Sequence, residues 1–159
     1  MNTIKVNFDN EVGKIKPING ACCAPFVSSF GPNQSRIDNM FKAAHIPYCR
    51  LHDCMGGLNC WKMVDIPLIF PDFDADENDP NSYDFHYTDE YIGAIQKSGA
   101  EAYYRLGCSI EWASRKEVSI MPKDFAKWAR ICEHVIMHYN KGWANGFEYN
   151  LDAKTIRLP

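Results

Sequence analysis

Ile4, Val6 and Phe8 alternate with polar residues, as a half-buried strand does, and Asp9-Asn10 follows as a turn. A second extended segment is predicted from Ile18 to Phe26, after Pro17. From Ser35 the apolar positions switch to helical spacing, at Ile37, Met40, Phe41 and Ala44, giving one apolar face on a helix that ends near His45. Pro47 enforces that end, because it biases Ile46 to extended geometry. Tyr48 to His52 then reads as a short buried strand closed by Gly56-Gly57. Thr88 is placed to cap a helix through Tyr91, Ile92 and Ile95, with Gly99 at the left-handed position that ends it. Ala102 to Leu106 is the next strand, closed by Gly107. The longest periodic run holds Phe125, Trp128, Ala129, Cys132, Val135, Ile136 and Tyr139 at helical spacing. Pro122 stands where that helix can begin, and Gly142 and Gly146 punctuate its end.

Strands separated by helices imply crossover connections and a parallel sheet, hence an α/β fold. Residues 62 to 87 interrupt the pattern as one long loop, broken by Pro67, Pro71 and Pro80 and crowded with Asp72, Asp74, Asp76, Glu77, Asp79 and Asp84. A loop of that length inside a domain is expected to be functional or mobile. Phe147 to Leu151 is predicted to begin a fourth strand, and the chain stops where the next crossover helix is due.

Composition narrows the function classes. With 159 residues, 46% hydrophobic and 23% charged, the chain is one globular domain's worth. A net charge of −3 gives no basic field for a phosphate backbone or an anionic membrane, so neither nucleic acid nor membrane is an expected partner. The apolar runs are too short for a span, and Lys5, Asn7 and Asp9 interrupt any signal-peptide core, which points to the cytoplasm. Seven scattered cysteines fit reduced thiols better than a disulfide framework.

Two constellations stand at the predicted C-terminal ends of parallel strands, where α/β folds place ligands. In Arg50-Leu51-His52-Asp53, the pleat directs Arg50 and His52 to one face, able to bind hydroxyls or a carboxylate. The same pair reads structurally as an ion-paired arginine and a hydrogen-bonded core histidine. In the segment from Arg105 to Trp112, Glu111 beside the Trp112 indole is a common arrangement for gripping a sugar, or else a solvent-facing acid and a core-capping ring. Cys49, His52, Cys54 and Cys60 are soft metal donors, but Cys49 and His52 fall on opposite strand faces and no Cys-x-x-Cys knuckle exists. His134 and His138 are four apart on a helix, without the Glu order of a metalloprotease helix. Asp72, Asp74 and Asp76 begin like a calcium loop, yet Glu77 and Tyr83 occupy the glycine and closing-acid positions. Cys22-Cys23 has no evident base beside it. No metal and no cofactor is expected.

Arg50-Leu51-His52, the Asp72 to Glu77 loop leading to Tyr83-Asp84-Phe85, Tyr104-Arg105-Leu106-Gly107, and the run from Lys127-Trp128-Ala129-Arg130-Ile131 through His138-Tyr139-Asn140 to Gly142-Trp143 together resemble family 39 glycoside hydrolases. The resemblance covers roughly residues 12 to 150 and is similar to the N-terminal half of the catalytic barrel of β-xylosidases and α-L-iduronidase. It implies a (β/α)₈ barrel and a retaining mechanism, with an acid/base Glu in a Trp-Asn-Glu-Pro motif after strand four and a nucleophile Glu after strand seven. It also implies that Arg50 and His52 face the sugar, with Glu111 as a looser candidate; Trp112 stays a substrate-binding candidate from its place beside Glu111.

This sequence has no Trp-Asn-Glu-Pro after Tyr149-Asn150-Leu151, and a full barrel takes about 250 residues. The expectation is a single partial (β/α) barrel domain over residues 1–159, truncated near strand four, carrying substrate floor but neither catalytic Glu. Glu148 lacks the neighbours of the acid/base position, and Asp53 with Glu111 makes no identifiable dyad. Its partner is then an oligosaccharide or glycoside, and open barrel edges favour self-association. The rival readings are a non-catalytic binding or interaction module and, behind it, a Cys/His metal-binding protein.

Overall fold

The computed structural model describes residues 2–16, 18–22, 34–51, 64–111, 114–116 and 119–149, with the backbone alone for 34–38. Three short strands, β1 (Ala21–Cys22), β2 (Tyr48–Arg50) and β3 (Glu101–Tyr103), form a parallel sheet in that order. The register sets Cys22 beside Arg50 and Arg50 beside Tyr103. Helix α1 (Gln34–Ala43) lies between β1 and β2 in the chain, α2 (Ile66–Ile69) and α3 (His86–Ser98) between β2 and β3, and α4 (Phe125–Lys141) after β3. The alternating parallel α/β order read from the periodicity is therefore present, as a three-stranded sheet among the described residues.

The core follows from the pleat. Cys49, Leu51 and Ala102 are buried with Tyr91, Ile92 and Ile95 of α3 and with Ile131, Val135 and Tyr139 of α4. Arg50 and Tyr103, one step along each strand, face away from that layer and are exposed. Cys132 belongs to the same core, where burial pushes its thiol up to about 11, whereas Cys22 is exposed.

Caps fix the helix ends. Asp124 precedes α4 and accepts from the backbone N–H groups of Ala126 and Lys127 at 2.8 and 3.0 Å. Gly142 ends it at φ 66°. Gly99 ends α3 in the left-handed region, as its position predicts. Thr88 is not the cap of α3: it lies buried in the first turn, and Asp84 upstream accepts from His86 N at 3.0 Å instead. Pro122 likewise stands outside α4, two residues before its cap.

The segment expected as one long loop is built locally. It holds α2 and a 3₁₀ turn at Pro80–Ser82, and its acids close turns: Asp72 accepts from Asp74 N, Asp76 from Asn78 N and Asp79 from Asn81 N, each at 2.9 Å. Glu77 ties the loop to α4 through Arg130 at 2.7 Å and Lys127 at 3.5 Å. Its own backbone N–H and the Arg130 guanidinium hold this carboxyl down at about 2.

Two predicted strands are absent from the described residues. Residues 2–16 form no strand, and Ile4, Val6 and Phe8 are 86%, 66% and 94% exposed. Alternation supplies a strand's side chains but not the neighbouring backbone that its N–H and C=O groups require. At the other end, residues 147–149 pair with a helix rather than the sheet. Phe147 N donates to His138 O at 2.7 Å and Tyr149 N to Tyr139 O at 3.1 Å, while Tyr139, Phe147 and Tyr149 stack their rings in series. Asn150 and Leu151 lie outside the described residues, as does the Cys23 to Phe26 end of the second extended segment.

Candidate functional site

The exposed sheet face at the C-terminal end of β2 is the site the topology singles out. Arg50 sits at the centre of the three-stranded order, flanked in register by Cys22 and by the half-exposed Tyr103. Strand spacing brings these neighbours to about 4.8 Å between backbones. A guanidinium with five N–H donors beside a phenol can hold hydroxyl or carboxylate oxygens. Among the described residues the Arg50 side chain makes no hydrogen bond or ion pair, its backbone alone being tied into the sheet. His52, which the pleat assigns to the same face, lies outside the described residues, as do Asp53 and Trp112.

The second constellation separates into two structural knots. Arg105 turns inward: Nη2 pairs with Asp65 Oδ1 at 2.9 Å, Nε donates to Leu51 O at 3.3 Å, and Nη1 donates to Cys108 O. Asp65, 1% exposed, also accepts from Ser109 N at 2.6 Å and from Ser109 Oγ at 3.0 Å. Tyr104 OH donates to Val64 O at 3.0 Å and Ile66 N to Gly107 O at 2.9 Å, so α2 is fastened to the end of β3. Asp65 was not a sequence-level candidate, though a lone acid in the apolar run Val64-Asp65-Ile66-Pro67-Leu68-Ile69 is a signal for a buried cation.

Glu111 is the second knot. Its Oε2 accepts from Ser119 N at 2.6 Å and Ser119 Oγ at 2.7 Å, and Lys116 Nζ donates to its backbone carbonyl. The carboxylate thus holds the chain between residues 111 and 119 together. With Asp65 saturated and Glu111 so engaged, neither is arranged as one of the two carboxyls, about 5 to 5.5 Å apart, of a retaining glycosidase.

The histidines proposed for metal binding point to different partners. His138 is buried, bonded to Asp89 Oδ1 at 3.0 Å and to Trp143 O at 2.9 Å, and stacked on Phe85 at 3.6 Å. Tyr139 OH donates to the same Asp89 oxygen at 2.9 Å, and burial pushes this phenol well above its ordinary value. His134 meets Tyr83 OH at 3.2 Å and stacks on Trp143. Cys49 is buried on the core face, opposite Arg50, while His52, Cys54 and Cys60 lie outside the described residues. Among the described residues no three His, Cys, Asp or Glu side chains gather as metal ligands.

No protein-family model matches the sequence, and no curated protein matches it. Among solved structures, the crystal structure of a glucosidase from Croceicoccus marinus superposes with a TM-score of 0.65 at 24% identity, covering 87% of this chain and 27% of the glucosidase. The chain thus spans about a quarter of that enzyme's length. The likeness is one of fold: a small parallel α/β unit of the kind found within a glycoside hydrolase.

Proposed function

We propose that this chain is part of a retaining glycoside hydrolase, β-xylosidase-like and of family 39, and that it contributes sugar-binding floor rather than the catalytic carboxyl pair. The observation that carries the reading is Arg50, exposed at the C-terminal end of the central strand in a fold shared with a stretch of a glucosidase. Arg50 donates to sugar hydroxyls, Tyr103 offers a ring and a hydroxyl alongside, and His52, two residues on from Arg50 in the sequence, is the second residue read as contacting the sugar. Glu111 acts indirectly, through the carboxylate that accepts from Ser119, and Trp112 follows it in the sequence as a further sugar-binding candidate.

Titrating the isotopically labelled chain with methyl β-xyloside and methyl β-glucoside tests this reading. Shifts confined to Arg50, Tyr103 and their neighbours, lost in Arg50→Ala and in His52→Ala, are expected. The chain is expected not to hydrolyse aryl β-xylosides above background. Saturable turnover abolished by Glu111→Gln would make Glu111 a catalyst, and sugar shifts that ignore Arg50→Ala would remove the sheet face from the site.

A further inference from the structure

Leu51 joins the core to the exposed sheet face. Its side chain is buried, and in the sequence it follows Arg50 and precedes His52, the two residues read as facing the sugar. Its backbone marks where β2 and β3 part. Leu51 N donates to Tyr103 O at 3.0 Å, the next rung of the parallel register after Arg50 beside Tyr103. In a continued ladder the Leu51 carbonyl would then accept from the backbone N–H of Arg105. It accepts instead from the Arg105 side chain, Nε donating at 3.3 Å. That guanidinium is itself fixed: Nη2 pairs with Asp65, 1% exposed, at 2.9 Å, and Nη1 donates to Cys108 O. Asp65 is held in turn by Ser109 N and Oγ, at 2.6 and 3.0 Å.

We propose that Arg105 is a positioning residue for the sugar site: by closing the ladder at the Leu51 carbonyl, it sets the direction in which the end of β2 presents Arg50. The proposal rests on the sugar-binding reading of that sheet face. A long exposed side chain keeps its rotamer freedom, so what the fold can fix ahead of binding is the backbone that carries it. Register with β1 and β3 fixes the Arg50 backbone, and the Arg105 fork fixes the peptide group beyond it. That role suits a guanidinium. One planar group serves the Leu51 carbonyl, the Asp65 carboxylate and the Cys108 carbonyl at once, whereas a lysine head has a single nitrogen and no rigid fan of donors.

Nuclear magnetic resonance of the ¹³C,¹⁵N-labelled full chain, titrated with methyl β-xyloside, reads both the strand end and the binding. Arg105→Lys leaves a cation beside Asp65 but removes the fork. It is expected to move the Leu51 carbonyl ¹³C resonance upfield, to change the N–H residual dipolar couplings of Arg50 and Leu51, and to raise the Kd about ten-fold. Ser109→Ala, which takes away one partner of Asp65, is the gentler variant; it is expected to move all three readings the same way by less, and it carries the test should lysine at 105 unfold the chain. Tyr104→Phe loosens the same end of β3 by removing the bond to Val64 O, and is expected to lower the melting temperature while leaving the Leu51 carbonyl and the Kd unchanged. A Kd indifferent to Arg105→Lys and Ser109→Ala, a raised Kd with unmoved Leu51 couplings, or an equal rise in Tyr104→Phe overturns the proposal and leaves the sugar site standing. A wild-type protein that binds no glycoside overturns the sugar site, and the proposal with it.

Discussion

Gly146 is a residue whose identity is dictated by its neighbours. A Cβ built there meets the His138 carbonyl oxygen and the His138 ring itself, and that ring cannot retreat because Phe85, Asp89 and the Trp143 carbonyl hold it on three sides. Gly146→Ala is expected to cost more than about 2 kcal/mol in urea unfolding, since backbone as well as side chain must move. Gly142→Ala, which meets only the strain of φ 66°, is expected to cost about 1 kcal/mol. Glu77 gives a residue-scale signature of another kind. Its carboxyl is held at about 2 against an ordinary 4.5, so the unfolded chain takes up a proton that the native one refuses. The stabilisation is fully present above pH 4.5 and is lost as pH falls from 4.5 to about 2. Melting temperature against pH should show that decline, and Glu77→Gln should flatten it over this interval.

At the scale of elements, α4 is the most legible piece of the sequence and the one on which most of the rest leans. Its apolar spacing places Cys132, Val135 and Tyr139 in the core, whereas Phe125 and Ala129, read on the same face, are exposed and Ile131 and His138 are buried instead; its cap sets where it begins. Asp124→Ala is expected to lower stability by about 1 kcal/mol, with Asp124→Asn retaining most of it, as measured by chemical denaturation. Where reading failed, the competition was local. Thr88 is a sound capping residue, but Asp84 reaches the first free N–H before it. The acids from Asp72 to Asp84 look like a ligand set, yet most of them each close a turn two residues long. A side chain's capacity to bind a cation and its capacity to accept from its own backbone are indistinguishable in a sequence.

Across the whole molecule, what the sequence conceals is separation. Asp65 and Arg105 are 40 residues apart, and Asp89 and His138 49 apart, so neither pair announces itself along the chain. The face bearing Arg50 was legible because the pleat is strictly local. The first predicted strand failed for the converse reason: its pattern is local, but its pairing needs a neighbour that the described chain does not provide. Among the described residues, no helix is long and apolar enough to cross a membrane.

The unequal concealment of the cysteines makes the protein its own stopwatch. Cys22 meets a thiol reagent on mixing, while Cys132, protonated and walled into the helix–sheet layer, must await an excursion that parts α4 from its neighbours. Timed alkylation read by peptide mass spectrometry should therefore give two clocks. The Cys22 clock should run independently of urea. The Cys132 clock should accelerate with the urea dependence of global unfolding, and a Cys132 alkylated as fast as Cys22 would mean that the layer opens long before the molecule does.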